Sequence, residues 1–139
     1  MDLNLKEKVI IITGAAKGIG RSIAEVFAKE NAVAVIVGRK ANDNQKVVEA
    51  IEEQGGKADQ FVAELSKPDD CKKVVAEIVA KFGRIDGLVN NAGVNDGVGL
   101  ESGNYEDFMA SLHKNVVHYY LMAHHALPEL IKSKGAIVN

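Results

Sequence analysis

Short runs of β-branched residues alternate along this chain with longer stretches in which apolar residues recur at helical spacing. The first run is Val9-Ile10-Ile11-Ile12, too short for a helix and closed by Thr13-Gly14. A continuous apolar run of this kind marks a strand buried on both faces, as in parallel sheets. Ile19, Ile23, Val26 and Phe27 then predict a helix reaching Glu30. Val33-Ala34-Val35-Ile36-Val37 predicts a second strand, stopped by Gly38. Val47, Val48 and Ile51 mark a second helix, closed by Gly55-Gly56.

The alternation continues. Phe61-Val62-Ala63 is the core of a third strand, and Ser66 reads as an N-cap with Pro68 in the first turn. Cys71, Val74, Val75, Ile78, Val79 and Phe82 form one apolar stripe at i, i+3, i+4, i+7, i+8 and i+11, on a helix that Gly83 ends. Ile85 to Val89 supply a fourth strand, ended by Asn90-Asn91-Ala92-Gly93. A long helix is predicted from about Glu106 to Lys132, with Leu112, Val116, Tyr119, Ala123 and Leu127 as its apolar positions and Pro128 kinking it or bringing it near its end. Gly135-Ala136-Ile137-Val138-Asn139 starts a fifth strand. Five strands alternating with four helical segments predict a parallel sheet with right-handed crossovers and helices on both faces. Ligands on such sheets bind beyond the strand carboxyl ends, where glycine and asparagine cluster in this chain.

Composition narrows the class without naming a function. The 139 residues are 47% hydrophobic and 26% charged, proportions of an ordinary globular domain, and one domain over residues 1–139 is expected. A net charge of −2 excludes nucleic-acid binding by bulk electrostatics. No uncharged run approaches the ~18 apolar residues of a membrane span. The charged start, Met1-Asp2-Leu3-Asn4-Leu5-Lys6-Glu7-Lys8, is unlike a signal peptide, so a cytoplasmic protein is expected. The single cysteine, Cys71, excludes an internal disulfide and reads as a packed core thiol. His113, His118, His124 and His125 contain no i, i+4 pair, so no metal site is expected and solvated or interface histidines are the better reading.

The first strand runs into Thr13-Gly14-Ala15-Ala16-Lys17-Gly18-Ile19-Gly20-Arg21. The spacing G-x-x-x-G-x-G is one residue longer between the first two glycines than the G-x-G-x-x-G fingerprint, but its physics is similar. Gly14 permits a tight turn, Gly18 lets backbone approach a pyrophosphate, and Gly20 allows close packing of the helix. The helix N-terminus supplies free N–H groups and a partial positive charge. A plain strand-to-helix turn is the competing reading, and three spaced glycines argue against it. A P-loop is excluded, because no Gly-Lys-Ser/Thr follows.

T-G-x-x-x-G-I-G, then N-N-A-G after the fourth strand, then an asparagine in the next long helix resembles the short-chain dehydrogenase/reductase family, in register from about Leu5 to Asn139. Within it, Met1 to Lys6, Asn90 to Gly97 and His118 to His124 resemble bacterial L-fucose dehydrogenases. The resemblance implies a Rossmann-like doubly wound parallel sheet of order 3-2-1-4-5, here truncated after the fifth strand. It implies an oxidoreductase moving a hydride between a nicotinamide cofactor and an alcohol or carbonyl substrate, an aldose such as L-fucose among them. Gly14, Gly18, Ile19 and Gly20 match the family's cofactor loop. Glu64 and Leu65 match the pair after the third strand that touches the adenine. Asn91, Ala92 and Gly93 match the turn that contacts the nicotinamide-side ribose and steadies the sheet. Asn115 matches the helix residue that holds a water in the proton relay to the catalytic lysine.

The end of the second strand decides between cofactors. A carboxylate there would bind the ribose 2′-hydroxyl and repel a 2′-phosphate. Gly38-Arg39-Lys40 stands there instead, and Lys17 adds positive charge on the phosphate side. NADP is expected over NAD, with solvated loop charges as the competing reading of Arg39 and Lys40. Asn95 and Asp96 line a sugar pocket or belong to a polar loop; the sequence leaves both open.

The chain departs from the family in one respect. The catalytic Ser and Tyr-x-x-x-Lys lie beyond the fifth strand in the family, and no tyrosine here has a lysine four residues on: Tyr105 meets Met109, Tyr119 meets Ala123 and Tyr120 meets His124. The 139 residues are therefore expected to be the cofactor half of an enzyme and to be inactive alone. A fifth-strand edge with Ile137 and Val138 exposed would recruit partners, so a homo-oligomer is expected. The rival readings are a non-catalytic dinucleotide-binding module and, less well matched, a methyltransferase-like domain.

Overall fold

The computed structural model describes residues 2–139, so Met1 lies outside the described residues. Strands β1 (Val9–Thr13), β2 (Val33–Gly38), β3 (Lys57–Val62), β4 (Gly87–Val89) and β5 (Ala136–Val138) form one sheet. Their order is β3-β2-β1-β4-β5, and every pairing is parallel. Helices α1 (Gly18–Lys29), α2 (Ala41–Glu53) and α3 (Pro68–Phe82) alternate with the first four strands. α4 (Tyr105–Leu112), a π-helical turn (His113–Val117) and α5 (His118–Ser133) lead to β5.

All five residues of β1 are buried, and their alternation splits the core in two. Ile10 and Ile12 pack with Ala24, Ala28, Val47 and Ile51 under α1 and α2. Val9 and Ile11 pack with Val74, Ile78, Met122 and Ala126 under α3 and α5. Each buried Ile or Val contributes about 1.5–3 kcal/mol, so β1 anchors both layers. The doubly wound sheet with helices on both faces is the expected one. The register aligns Thr13 with Val37, Ile12 with Val89 and Gly38 with Val62, which brings the strand carboxyl ends to one edge.

The opposite edge is fastened by Asp86. Its buried carboxylate accepts the Val9 N–H at 2.9 Å and two Arg84 donors at 2.7 and 2.6 Å, with Lys8 Nζ at 3.5 Å. Burial alone would raise its pKa, but the Arg84 and Val9 bonds and the Lys8 charge outweigh it and hold the carboxyl below its usual range. The Cys71 thiol is buried in the α3 layer, and burial pushes it up to about 11, as expected of a packed core thiol.

Three local expectations are corrected. Ser66 does not cap α3. Lys67 holds the cap position without a side-chain bond, and the Ser66 hydroxyl donates to Glu64 Oε1 at 2.9 Å instead. The long helix is not one continuous element. The π-helical turn carries an extra residue and rotates the apolar face. The buried stripe of α5 is His118, Met122, Ala126 and Leu130, while Val116 and Leu127 are exposed. That rotation also buries His118, which is neither solvated nor at an interface; its Nε2 lies 2.9 Å from the Lys114 carbonyl, and burial lowers its pKa. Pro128 sits inside α5 in its last part, near the end at Ser133, as expected.

Candidate functional site

The glycine turn between β1 and α1 opens at the carboxyl edge of the sheet. Gly14 has φ +67° and donates to the Val37 carbonyl at 2.8 Å. A Cβ there would also lie 2.8 Å from Ala92 Cα, so both conformation and packing demand glycine. Gly18 has φ +58°, and a Cβ on it would meet no atom within 4 Å, so the space over its backbone is open. Gly20 is the reverse case: a Cβ would collide with Asn91 Nδ2 and the Gly14 carbonyl. The close packing expected at Gly20 is thus against the Asn91 amide and the turn.

No side chain caps α1, and its first turn holds no acidic residue. The N–H groups at its start therefore have no side-chain cap, and their partial positive charge has no carboxylate of the first turn beside it. Lys17 and Ile19 are exposed beside them.

The Asn-Asn-Ala-Gly turn after β4 is fixed by Thr13, which the sequence places at the end of β1 and the head of the glycine motif without giving it a partner. The buried Thr13 Oγ1 accepts the N–H groups of Asn91 and Ala92, both at 3.0 Å. Asn91 Nδ2 returns two bonds, to the carbonyls of Thr13 at 3.0 Å and Gly14 at 3.3 Å. A hydroxyl at the end of an otherwise apolar buried run is the available signal, because a buried hydroxyl needs partners.

Gly93 and Asn115 meet next. A Cβ on Gly93 would stand 3.0 Å from Asn115 Oδ1. Asn115, in the π-helical turn, accepts the Val94 N–H at 2.7 Å and donates to the Ser111 carbonyl at 3.0 Å. A second latch runs beside it: Ser111 Oγ donates to Asp96 Oδ1 at 2.9 Å, and Lys114 Nζ is 3.5 Å from Asp96 Oδ2. Asp96 therefore belongs to a structured loop, and Ser111 and Lys114 are not singled out by spacing.

At the carboxyl ends of β2 and β3, Arg39 is exposed and its Nη1 lies 3.8 Å from Glu64 Oε2. The other oxygen of Glu64 accepts the Ser66 N–H at 3.3 Å and the Ser66 hydroxyl at 2.9 Å. The sequence has no carboxylate at the end of β2, yet the fold brings one there from the end of β3. Gly38 leaves no room for a side chain, since a Cβ would collide with the buried Asn44 Oδ1. The Leu65 side chain is buried in the α3 layer. Gly14, Gly20, Asn91, Ala92, Gly93 and Asn115 thus form one continuous group at β1 and β4, flanked by Arg39 and Glu64 at β2 and β3.

Comparison with known proteins gives this edge a context. The short chain dehydrogenase family profile matches residues 8–139. The chain is 38% identical over 139 residues to the 3-oxoacyl-[acyl-carrier-protein] reductase FabG of Thermotoga maritima, covering 99% of this chain and 56% of that relative. It is 37% identical over 134 residues to a 3beta-hydroxysteroid dehydrogenase of Mediterraneibacter gnavus, covering 96% of this chain and 49% of that one. Among solved structures, a metagenomic short-chain oxidoreductase in complex with NADP superposes with TM-score 0.88 at 31% identity, covering 96% of this chain and 61% of that one. The chain spans about half the length of the curated relatives it matches. Relatives of this kind are reductases and hydroxysteroid dehydrogenases, so they support the family and not the L-fucose group within it. By profile, by relatives and by fold, the chain belongs to the short-chain dehydrogenase family, whose members are NAD(P)-dependent oxidoreductases.

Proposed function

We propose that residues 1–139 hold the dinucleotide of an NADP(H)-dependent oxidoreductase acting on an alcohol or carbonyl group. One observation carries the reading: the open, uncapped glycine turn at Gly14 to Gly20, fixed against the Asn91 turn by Thr13. Its residues fit a dinucleotide. Gly18 leaves backbone approachable, the start of α1 supplies N–H donors for a pyrophosphate, and Arg39 with Lys17 supplies charge for a further phosphate. Ile19 flanks the pyrophosphate, Ala92 and Gly93 border the nicotinamide side, and Glu64 and the Leu65 backbone border the adenine. The cofactor supplies the hydride chemistry when bound.

This chain's own residues bind and orient. Asn115 keeps the Val94 N–H and the Ser111 carbonyl in one arrangement, and so sets the loop that borders the reacting face. In the proposal it also steadies the water of the proton relay. NADP binding by a solved relative supports the choice of NADP. An aldose such as L-fucose is the proposed substrate, supported by the polar loop of Asn95 and Asp96 with Ser111 and Lys114 behind it. A homo-oligomer is part of the proposal, supported by the exposed Phe108, Met109, Tyr120 and Ile131 on α4 and α5. The test is oxidation of L-fucose by the intact protein with NADP+ and with NAD+. Turnover preferring NADP+ supports the reading; turnover confined to hydroxyacyl or hydroxysteroid substrates rejects the aldose.

A further inference from the structure

The pair at the ends of β2 and β3 bears on how strongly this protein distinguishes its two cofactors, given the NADP(H) reading above. Arg39 is the group that would meet a ribose 2′-phosphate, because it stands at the end of β2 with no carboxylate on its own strand. It is not a free cation, however. Its Nη1 faces Glu64 Oε2 at 3.8 Å. Glu64 in turn is held from the other side, where Ser66 gives both its N–H and its hydroxyl to Oε1. The carboxylate is therefore fixed by its own loop, while the long arginine side chain is the more exposed partner. The backbones are joined as well: the Ala63 N–H donates to the Gly38 carbonyl at 3.1 Å, so the two strand ends keep their spacing.

We propose that Glu64 is a specificity-determining residue that competes with the 2′-phosphate of NADP(H) for Arg39. Binding of the phosphorylated cofactor draws Arg39 away from the carboxylate, and the lost Arg39–Glu64 attraction is subtracted from the affinity. NAD(H) carries no 2′-phosphate and leaves the Arg39–Glu64 pair in place. Glu64 thus damps a preference that Arg39 alone would make steep. Exposed ion pairs are weak, so the damping is on the order of 2- to 5-fold in the ratio of the two affinities.

The experiment is calorimetric titration of the intact protein with NADP+ and with NAD+, for wild type, Glu64→Gln, Arg39→Ala and the double variant. Glutamine keeps an acceptor for Ser66, and circular dichroism checks that each variant is folded. The ratio of the two dissociation constants cancels any change in adenine contact that both cofactors share. Glu64→Gln is expected to raise the preference for NADP+ by about 2- to 5-fold. Arg39→Ala should lower that preference, and adding Glu64→Gln to it should shift the ratio by less than about 2-fold, as expected for coupled neighbours. An unchanged ratio in Glu64→Gln, or an equal shift with and without Arg39, overturns the competition. An unchanged NADP+ affinity in Arg39→Ala is a different result: it rejects the placing of the 2′-phosphate at Arg39, and the inference falls with it.

Discussion

Replacing Thr13 by valine removes one oxygen and keeps the shape of the side chain. That oxygen accepts two N–H groups, from Asn91 and Ala92, each at 3.0 Å, and Thr13 itself is fully buried. Each donor left without a partner costs about 1–3 kcal/mol when buried. Asn91 and Ala92 are only half-buried, so water recovers part of that. The hydroxyl's own bond to the Val89 carbonyl is long, at 3.4 Å, and adds little. A loss of about 2–3 kcal/mol is therefore expected for Thr13→Val. Thr13→Ser, which keeps the oxygen and gives up a methyl, should cost only about 1 kcal/mol. Urea unfolding of the intact protein followed by circular dichroism reads both, and an unchanged slope would show that stability alone changed. Because the same N–H groups fix the turn beside the proposed nicotinamide, Thr13→Val should also weaken NADP+ binding. A Thr13→Val protein as stable as wild type, or more stable than Thr13→Ser, would refute the assignment of the hydroxyl as the turn's anchor.

Further outcomes follow from the same geometry. Gly20→Ala should destabilise by about 1–3 kcal/mol through overpacking against Asn91 and Gly14, whereas Gly18→Ala should cost only the left-handed backbone, about 1–2 kcal/mol; thermal melts rank the two. Asp86 has a depressed pKa in the fold, so its contribution is complete above the ordinary carboxylate range and is lost as pH falls from about 4. Asp86→Asn should accordingly flatten the acid limb of a stability–pH curve, and an unaltered limb would dismiss this ion pair as the cause. Asp96→Asn weakens the latch to Lys114 and Ser111, so amide exchange over residues 94–97 should quicken about 2- to 10-fold with little change in global stability.

The sheet is legible because its strands are buried on both faces, and Val9-Ile10-Ile11-Ile12 and Val33 to Val37 have no other reading. The glycine loop is legible too, since Gly14, Gly18 and Gly20 each answer a distinct steric demand. The long helix is not. A π-helical turn at His113–Val117 leaves no mark on apolar periodicity except a phase shift, so periodicity alone turns Val116 and Leu127 inward and His118 outward. Ser66 followed by Pro68 imitates a cap, but the Glu64 carboxylate captures its hydroxyl first. The Glu64–Arg39 pair is equally invisible, because the two residues come from adjacent strand ends far apart in the chain. Thr13 shows the same limit in a milder form: its type is visible, its partners across the sheet are not.

The central claim is that a phosphorylated dinucleotide lies across the glycine turn at the carboxyl edge of this sheet. A crystal structure of the intact protein grown with NADP+ tests it most directly. The account predicts the pyrophosphate over Gly18 and the first N–H groups of α1, with the 2′-phosphate at Arg39. A dinucleotide bound elsewhere on the chain, or a pyrophosphate out of reach of Gly18 and the start of α1, would contradict it.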